Sequence, residues 1–500
     1  MGTEYYLECT EGCEKAVKEG MALFTPFLDS HQISLQVRCC QTGNRWQVNV
    51  SIDYHHESGE RRLKTLADET TGPDSSSPKE RDWLIRRLIW QGMKTVTAYD
   101  PGPWGILRGV RPIKIAHTLI DKGASPEAVI GEYMRHYGTS PAKARLAAEI
   151  ALRQRPFLTP QGRKSRAVSI YIAIPYCPTR CLYCSFPANP LPADHRQLRD
   201  FLQALYLDMA DAKDALARHN LTVETVYIGG GTPTSLGEND FRDMLHTVKK
   251  TFITSDTAEF TVEAGRPDSI TEGKIVAMAN EGVTRVSINP QSMQDRTLAV
   301  IGRRHSVQAI IDLFHQFRRY CAISINMDII AGLPGETEQD MIDTMEKIAA
   351  LGPDNLTVHT LTLKRGSALK AAGAAYPLPD DRATTAMTDI AASFAKEMGL
   401  VPYYLYRQKY MTGNLENIGY ARPGRECIYN IQIMEERQTI IGIGPAAGSK
   451  MVDTAAMKLT SCYHPKEVSR YISHLPVYLA QRTTLLNDLY GETQKGGDLC

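Results

Sequence analysis

An α/β fold built on a partial (β/α)6 barrel is predicted for this chain, with an N-terminal α/β plus helical extension and a C-terminal α+β domain. Three observations carry the prediction. Between residues 166 and 369, six short β-branched runs alternate with amphipathic stretches of helical period, the rhythm of a parallel sheet with helical crossovers. Each run carries, or is closely followed by, cysteine, glycine or polar residues, as expected where the carboxyl ends of barrel strands gather round a ligand. The 500 residues, 43% hydrophobic and 23% charged, are enough for two to four domains with a sizeable core.

Taken in order, residues 1–99 read as a small α/β domain. It holds a strand at 5–8, an amphipathic helix at 13–27 and a hairpin of alternating pattern from 33–38 and 46–54. The polar stretch 68–78 is a loop, and a helix over 79–99 carries the stripe Trp83, Leu84, Leu88 and Ile89. Residues 100–165 form a helical connector with helix starts at Ser125-Pro126 and Ser140-Pro141, where serine caps and proline takes the first helical position. Arg108 and Arg111 in its entry suit a carboxylate or a nucleotide, or equally solvent or a salt bridge.

The barrel strands are read at 169–174, 225–229, 259–263, 285–289, 323–330 and 356–361, with helices at 197–218, 238–251, 272–281, 307–319 and 338–351 between them. Residues 370–500 form a C-terminal, substrate-covering domain with a helix at 381–398 and an aromatic run at 403–410. Arg407 and Lys409 alternate with aromatics in that run, and Arg422, Arg425 and Lys450 are also available. These cations suit the rim of a flat polycarboxylate, or the solvated face of a strand. Gly442, Gly444 and Gly448 fit a close approach to ligand or barrel, or a turn.

A net charge of +1 gives no reason to expect nucleic acid or membrane as partner. The first 20 residues have neither the basic nor the apolar region of a secretory signal, Tyr6 departs from a myristoylation pattern, and no apolar run is long enough to span a bilayer. A cytoplasmic chain is expected, and its eleven cysteines should be reduced; Cys9, Cys13, Cys39, Cys40 and Cys500 are read as ordinary thiols.

The chemistry centres on Cys177, Cys181 and Cys184, at C-x3-C-x2-C spacing after the first barrel strand. Three thiolates on one loop hold three irons of a cubane and leave the fourth open, whereas an electron-transfer cluster takes four cysteines. An open metal position can chelate a ligand, as in a catalytic zinc site. A structural zinc would want another Cys or His, and the nearest histidine, His195, lies past a proline-rich turn inside a predicted helix. Gly229-Gly230-Gly231-Thr232 after the second strand lets backbone groups approach a zwitterionic ligand, or simply makes a tight turn. Glu263, Gln291 and Asp328 lie at successive strand ends, where unpaired burial is costly, so they should face a ligand; Arg303 in IGRRH suits a bidentate carboxylate.

The combination YIAIPYCPTRCLYC, GGGTPT, TVEAGRP, NPQS, IGRRH and DIIAGLP resembles the oxygen-independent coproporphyrinogen III oxidase family of radical S-adenosylmethionine (SAM) proteins. WGILRGVRP, PYYLYRQKYMTGNLENIGYARPG and QTIIGIG extend the likeness nearly end to end, most closely to its HemZ branch. The resemblance implies a radical SAM barrel with a [4Fe–4S] cluster on Cys177, Cys181 and Cys184. Tyr171 and Tyr183 would flank cluster and sulfonium. Gly230, Gly231, Thr232 and Glu263 would hold the SAM amino end, Arg303 its carboxylate, Gln291 and Asp328 the ribose, and Thr362 would stand near adenine. Tyr171 and Glu263 are the positions carried over as catalytic.

The implied reaction is oxidative decarboxylation of coproporphyrinogen III to protoporphyrinogen IX, in which a 5′-deoxyadenosyl radical takes hydrogen from a propionate β-carbon. The implied partners are a tetrapyrrole substrate and an electron donor for the cluster. The chain departs from the oxidase proper at Phe186, where that enzyme has a fourth cysteine, and at Ala173, where it has histidine. It departs from the related haem chaperones at Tyr429-Asn430, where their HNxxYW motif begins. A haem-binding carrier, or a radical SAM enzyme acting on another tetrapyrrole, are the alternatives.

Overall fold

The computed structural model describes residues 5–25, 32–56, 58–71, 75–109, 111–163, 165–186, 188–320, 322–364, 366–408 and 411–491. Contacts divide the chain into two units, 1–149 with 413–415, and 150–412 with 416–500.

In the first unit, β1 (Tyr6–Cys9) pairs parallel to β2 (Gln32–Thr42), which pairs antiparallel to β3 (Arg45–His55), and β3 to β4 (Arg61–Glu69). Alternate residues Leu35, Val37, Val48, Val50 and Ile52 turn one face inward, against Ala16 and Val17 of α1 (Glu14–Met21) and Ile85, Ile89 and Met93 of α2 (Pro78–Thr97). Ser77 caps α2 by accepting from Glu80 N, with Pro78 at its first position. The expected hairpin is present. β4 was not foreseen, because in RRLKTLADE charged residues dilute the alternation and Leu63 is exposed on the edge strand. The helix expected over 13–27 ends at Met21; Phe27 lies outside the described residues, as do Lys409 and Cys500. α3 (Ile113–Asp121), α4 (Pro126–Tyr137) and α5 (Pro141–Gln154) follow, the last two starting at the expected Ser-Pro pairs.

The second unit is built on one eleven-stranded sheet. Its centre is the run β5 (Ala167–Ile174), β6 (Thr222–Gly230), β7 (Glu259–Glu263), β8 (Arg285–Gln291), β9 (Ser324–Ala331) and β10 (Asn355–Thr360), each parallel to the next. The crossovers are α6 (His195–Arg218), α7 (Glu238–Phe252), α8 (Glu272–Asn280), the pair α9 (Asp295–Val300) and α10 (Val307–Tyr320), and α11 (Glu338–Leu351). These are the six βα repeats expected, and the strands read as near-continuous apolar runs because both faces are covered.

After α12 (Ala368–Ala372) and α13 (Asp381–Glu397), the chain adds to both ends of the same sheet. β11 (Val401–Tyr406) and β12 (Asn417–Ala421) extend it antiparallel beyond β10. After α14 (Ile428–Glu435), β13 (Thr439–Ile443) lies parallel beside β5, and β14 (Gly448–Asp453) and β15 (Lys458–Tyr463) finish that edge. The last helix, α15 (Val468–Tyr490), locks onto α6. Arg482, fully buried, donates to Asp208 Oδ1 and Asp211 Oδ2, each at 2.7 Å, while Asp208 also accepts from Tyr471 OH at 2.8 Å and Gly444 N at 3.0 Å. That network holds the 442–448 turn against β5. A Cβ on Gly444, whose φ is +92°, would stand 2.5 Å from Ala173 O, so this glycine serves the approach to the barrel strand. No helix among the described residues is long and apolar enough to cross a membrane.

Candidate active site at the carboxyl ends of the barrel strands

The thirteen residues that the resemblance assigns to cluster and SAM line one cavity of about 390 Å³ in the second unit: Tyr171, Cys177, Cys181, Tyr183, Cys184, Gly230, Gly231, Thr232, Glu263, Gln291, Arg303, Asp328 and Thr362. They arrive from six strands and the loops after them, because parallel strands with helical crossovers bring all their carboxyl ends to one side of the sheet.

The cysteine loop leaves β5 and is pinned by backbone bonds on several sides. Cys177 N donates to Asn189 O at 2.9 Å, Leu182 N to Ile301 O at 3.0 Å, and Leu369 N to Leu182 O at 2.9 Å. All three thiols are free of disulfides. All three line the cavity from one loop, an arrangement in which three thiolates could hold three irons of a cubane. His195 opens α6 and is not among the cavity residues. Burial raises Cys177 and Cys184 above the usual thiol range, so metal binding would release their protons.

The glycine turn makes room for a carboxylate. A Cβ on Gly229 would lie 2.9 Å from the Glu263 carboxyl group, and one on Gly231 2.5 Å from Tyr176 O. Glu263 is half-buried at the end of β7 and accepts from Tyr227 OH at 2.9 Å. Desolvation pushes its carboxyl up to about 7, partly opposed by the Tyr227 bond and reinforced by Asp328. An acid so placed would suit an incoming ammonium group. Tyr227 stacks on Tyr429 at 4.5 Å between ring centroids, and Tyr171 lies over both, at 6.1 Å from Tyr227 and 5.9 Å from Tyr429.

Across from Glu263, Arg303 is buried. Its Nη1 donates to Gly265 O at 3.0 Å and Asn289 O at 2.7 Å, and Nη2 to Tyr183 OH at 3.2 Å, while Nε is buried with no hydrogen-bond partner. The orphaned Nε leaves this guanidinium with unused donor capacity beside the cavity. Glu263, Arg303 and the three thiols share that one cavity, a donor set that would fit a cluster with an amino-acid end beside it. Gln291 closes β8 with φ +69°, a left-handed conformation for a residue with a side chain, which marks a position held by its surroundings. Thr362 lines the cavity with its hydroxyl turned to Thr360 O at 3.3 Å.

A second wall was not foreseen apart from Asp328, Thr362 and the aromatic run that supplies Tyr404 and Tyr406. Ser287 and Asn289, Asn326 and Asp328, Thr357 and His359, and Tyr404 and Tyr406 are i, i+2 pairs on four strands, all lining the cavity. They bond sideways: Asn326 Nδ2 donates to Ser287 Oγ at 2.8 Å and Asp328 Oδ1 at 2.7 Å, and Thr357 Oγ1 to Asn326 Oδ1 at 3.1 Å. His359 stands 3.7 Å from Asp328 Oδ2 and 3.2 Å from Tyr406 OH. In the sequence these show only as polar residues at alternate positions of otherwise apolar runs, a pattern that a solvent-facing strand shares.

The expected rim of cations needs correction. Arg407, Arg422, Arg425 and Lys450 do not line the cavity: Arg407 is buried, Arg425 reaches Ser324 Oγ, and Lys450 bonds Glu436 at 3.0 Å. The aromatic run is not a solvated strand either, since Tyr403 and Tyr404 are buried. Among the described residues the cavity takes its basic groups from Arg266, Arg303, Lys364 and His359. Lys364 Nζ stands 5.5 Å above the Phe186 ring, which is 62% exposed.

Comparison with known proteins agrees with this geometry. The pattern of the radical SAM superfamily matches residues 171–348. The oxygen-independent coproporphyrinogen-III oxidase-like protein HemZ of Bacillus subtilis (strain 168) is 40% identical over 393 residues, 78% of each chain. The heme chaperone HemW of Escherichia coli (strain K12) is 28% identical over 302 residues, 60% of this chain and 75% of that one. Among solved structures, the radical SAM enzyme coproporphyrinogen III oxidase (HemN) from Escherichia coli superposes with a TM-score of 0.52 at 22% identity, covering 66% of this chain and 73% of that one, a likeness of fold. The chain therefore belongs to the radical SAM superfamily, whose cofactors are a [4Fe–4S] cluster and SAM, and within it to the family of the coproporphyrinogen-III oxidase-like protein HemZ.

Proposed function

We propose that the chain is a radical SAM enzyme that oxidatively decarboxylates propionate side chains of a coproporphyrinogen-type tetrapyrrole to vinyl groups. The observation that carries this reading is the joining, in one cavity, of the thiol, glycine and Glu263–Arg303 wall to a polar and aromatic wall that those groups do not need. When bound, cluster and SAM supply one electron and a 5′-deoxyadenosyl radical able to take hydrogen from an unactivated carbon.

The rest of the work falls to this chain's residues. Cys177, Cys181 and Cys184 would hold the cluster, Glu263 would pair with the SAM ammonium, and the Arg303 guanidinium with its carboxylate. Gln291, Asp328 and Thr362 line the stretch where ribose and adenine would lie, and Tyr171 and Tyr183 flank it. On the other wall, Lys364 and His359 are the basic groups available to a propionate, and Tyr404 and Tyr406, stacked at 6.3 Å and 9° between planes, offer an apolar face to a pyrrole. Held there, the substrate would present its β-carbon while its carboxylate stays ionised and ready to leave as CO2; the electron released goes to an external acceptor.

The test is anaerobic: reconstituted protein with SAM, a low-potential reductant and coproporphyrinogen III, assayed for 5′-deoxyadenosine and divinyl product, with Cys181→Ala as control. Joint appearance of both, lost in the variant, supports the reading. Deoxyadenosine without decarboxylated product would replace the substrate, and tight haem binding without SAM turnover would replace the reaction.

A further inference from the structure

The turn after β7 carries a residue that the proposed function leaves unused. Arg266 is 3% exposed, and its guanidinium is clamped from two sides. Toward the cysteine loop, Nη2 donates to Thr179 Oγ1 at 2.8 Å, and Nη1 reaches Thr179 O at 3.4 Å and Cys181 Sγ at 3.6 Å. Toward its own turn, Nε and Nη2 donate to the two oxygens of Asp268 at 3.0 and 2.9 Å. The ring of buried His305 stands behind that carboxylate, with Nδ1 3.6 Å from Asp268 Oδ1.

Each thiol has a different setting. Cys177 Sγ accepts from Thr232 Oγ1 at 3.3 Å, a neutral donor. Cys184 lies in the fields of Arg180 and Lys364, and no side-chain hydrogen bond to it is present among the described residues. Cys181 faces Arg303 as well as Arg266, but of the two guanidiniums Arg266 is the one held by a carboxylate. Fixed charge and N–H···S bonds at a cluster sulfur stabilise the more negative, reduced state, and they act strongly where water is excluded.

We propose that Arg266 and Asp268 are a positioning pair that sets the reduction potential of the cluster through Cys181. Arg266 raises the potential by favouring the electron that the cluster accepts from a one-electron reductant, and Asp268 restrains that effect by neutralising part of the guanidinium charge. The proposal rests on ligation of the cluster by Cys177, Cys181 and Cys184.

Its test is a potentiometric titration of the reconstituted full chain, followed by the electron paramagnetic resonance of the reduced cluster and normalised to iron content. Arg266→Gln should lower the reduced-to-oxidised ratio at fixed potential about tenfold, a shift of about 59 mV to more negative values for one electron. Asp268→Asn should move the potential the opposite way, and Thr179→Val, which removes one hydrogen bond to the guanidinium but leaves its charge and its carboxylate partner in place, should shift it less than either. A merely structural role would lower cluster content in both variants without opposite shifts; unchanged potentials, or shifts of one sign, overturn the proposal. If Arg266→Gln holds no iron, Asp268→Asn decides alone: a positive shift supports the pair and none overturns it. A parent chain that takes up no four-iron cluster fails at the ligand assignment and takes the pair with it.

Discussion

The two walls of the cavity are built by different means. The wall from β5 to β8 is made mainly of strand ends and the loops beyond them: a cysteine loop, a glycine turn, and an arginine whose donors go to backbone carbonyls and Tyr183, with its Nε left unpartnered. The wall from β8 to β11 is made of side chains within the strands, spaced by two and bonded to one another. Loop groups can be replaced or lengthened without disturbing the sheet, whereas a strand-borne ladder moves only with the sheet itself. The first wall suits cofactors common to a superfamily, and the second suits recognition of a particular substrate.

The hardest test of that division is Cys181→Ala. It should abolish the cluster's visible absorbance and all SAM cleavage while leaving the fold, read by circular dichroism, unchanged. Glu263→Gln should come next. Losing a hydrogen bond to a charged partner costs on the order of 1.5–3 kcal/mol, so SAM affinity by calorimetry should fall roughly 10- to 100-fold.

The same carboxyl gives a pH signature. Its folded value of about 7 lies above the ordinary 4.5, so in the ligand-free chain its contribution to stability is present below 4.5 and is lost as pH rises through 7. An ammonium beside it reverses that loss. Thermal stabilisation by SAM should therefore grow between about pH 6 and about pH 8 in the parent and stay flat in Glu263→Gln.

On the second wall, His359→Ala should lower kcat/KM for tetrapyrrole about tenfold, on the order of 1.4 kcal/mol, without changing the SAM dissociation constant. An equal loss in both would erase the distinction between the walls. The smallest effect belongs to Tyr227→Phe, which removes one hydrogen bond that stabilises ionised Glu263. It should weaken SAM binding by about 1 kcal/mol and move the pH dependence upward, measured by the same calorimetry across pH.

Legibility follows the same line. The cysteine spacing, the glycine turn, and Glu263, Gln291 and Arg303 were readable because each is an anomaly in its stretch: thiols at metal spacing, consecutive glycines, charge at a strand end. Ser287, Asn326, Thr357 and His359 passed as ordinary strand residues, since a half-buried polar side chain in a strand looks the same whether it faces solvent or a cavity. Arg407, Arg422, Arg425 and Lys450 suited either a rim or a solvated strand face by composition, and none of the four lines the cavity.

Residues 428–435 show where the reading stops. IYNIQIME favours a strand by propensity, yet it forms α14. The carboxylate of Glu259, 169 positions earlier at the start of β7, accepts from Ile428 N at 2.9 Å and Tyr429 N at 3.2 Å and caps that helix across the sheet. This capped helix carries Tyr429 onto Tyr227 and Asn430 into the cavity.

By itself the sequence determined the six βα repeats and brought out the residues proposed to hold the cluster and SAM, because periodicity and ligand spacing are local properties of a chain. Only the tertiary structure decided that the C-terminal strands continue the same sheet at both ends, that Glu259 makes a helix of residues 428–435, and which polar side chains form the second wall. Those depend on which distant segments meet, and neither propensity nor spacing encodes that.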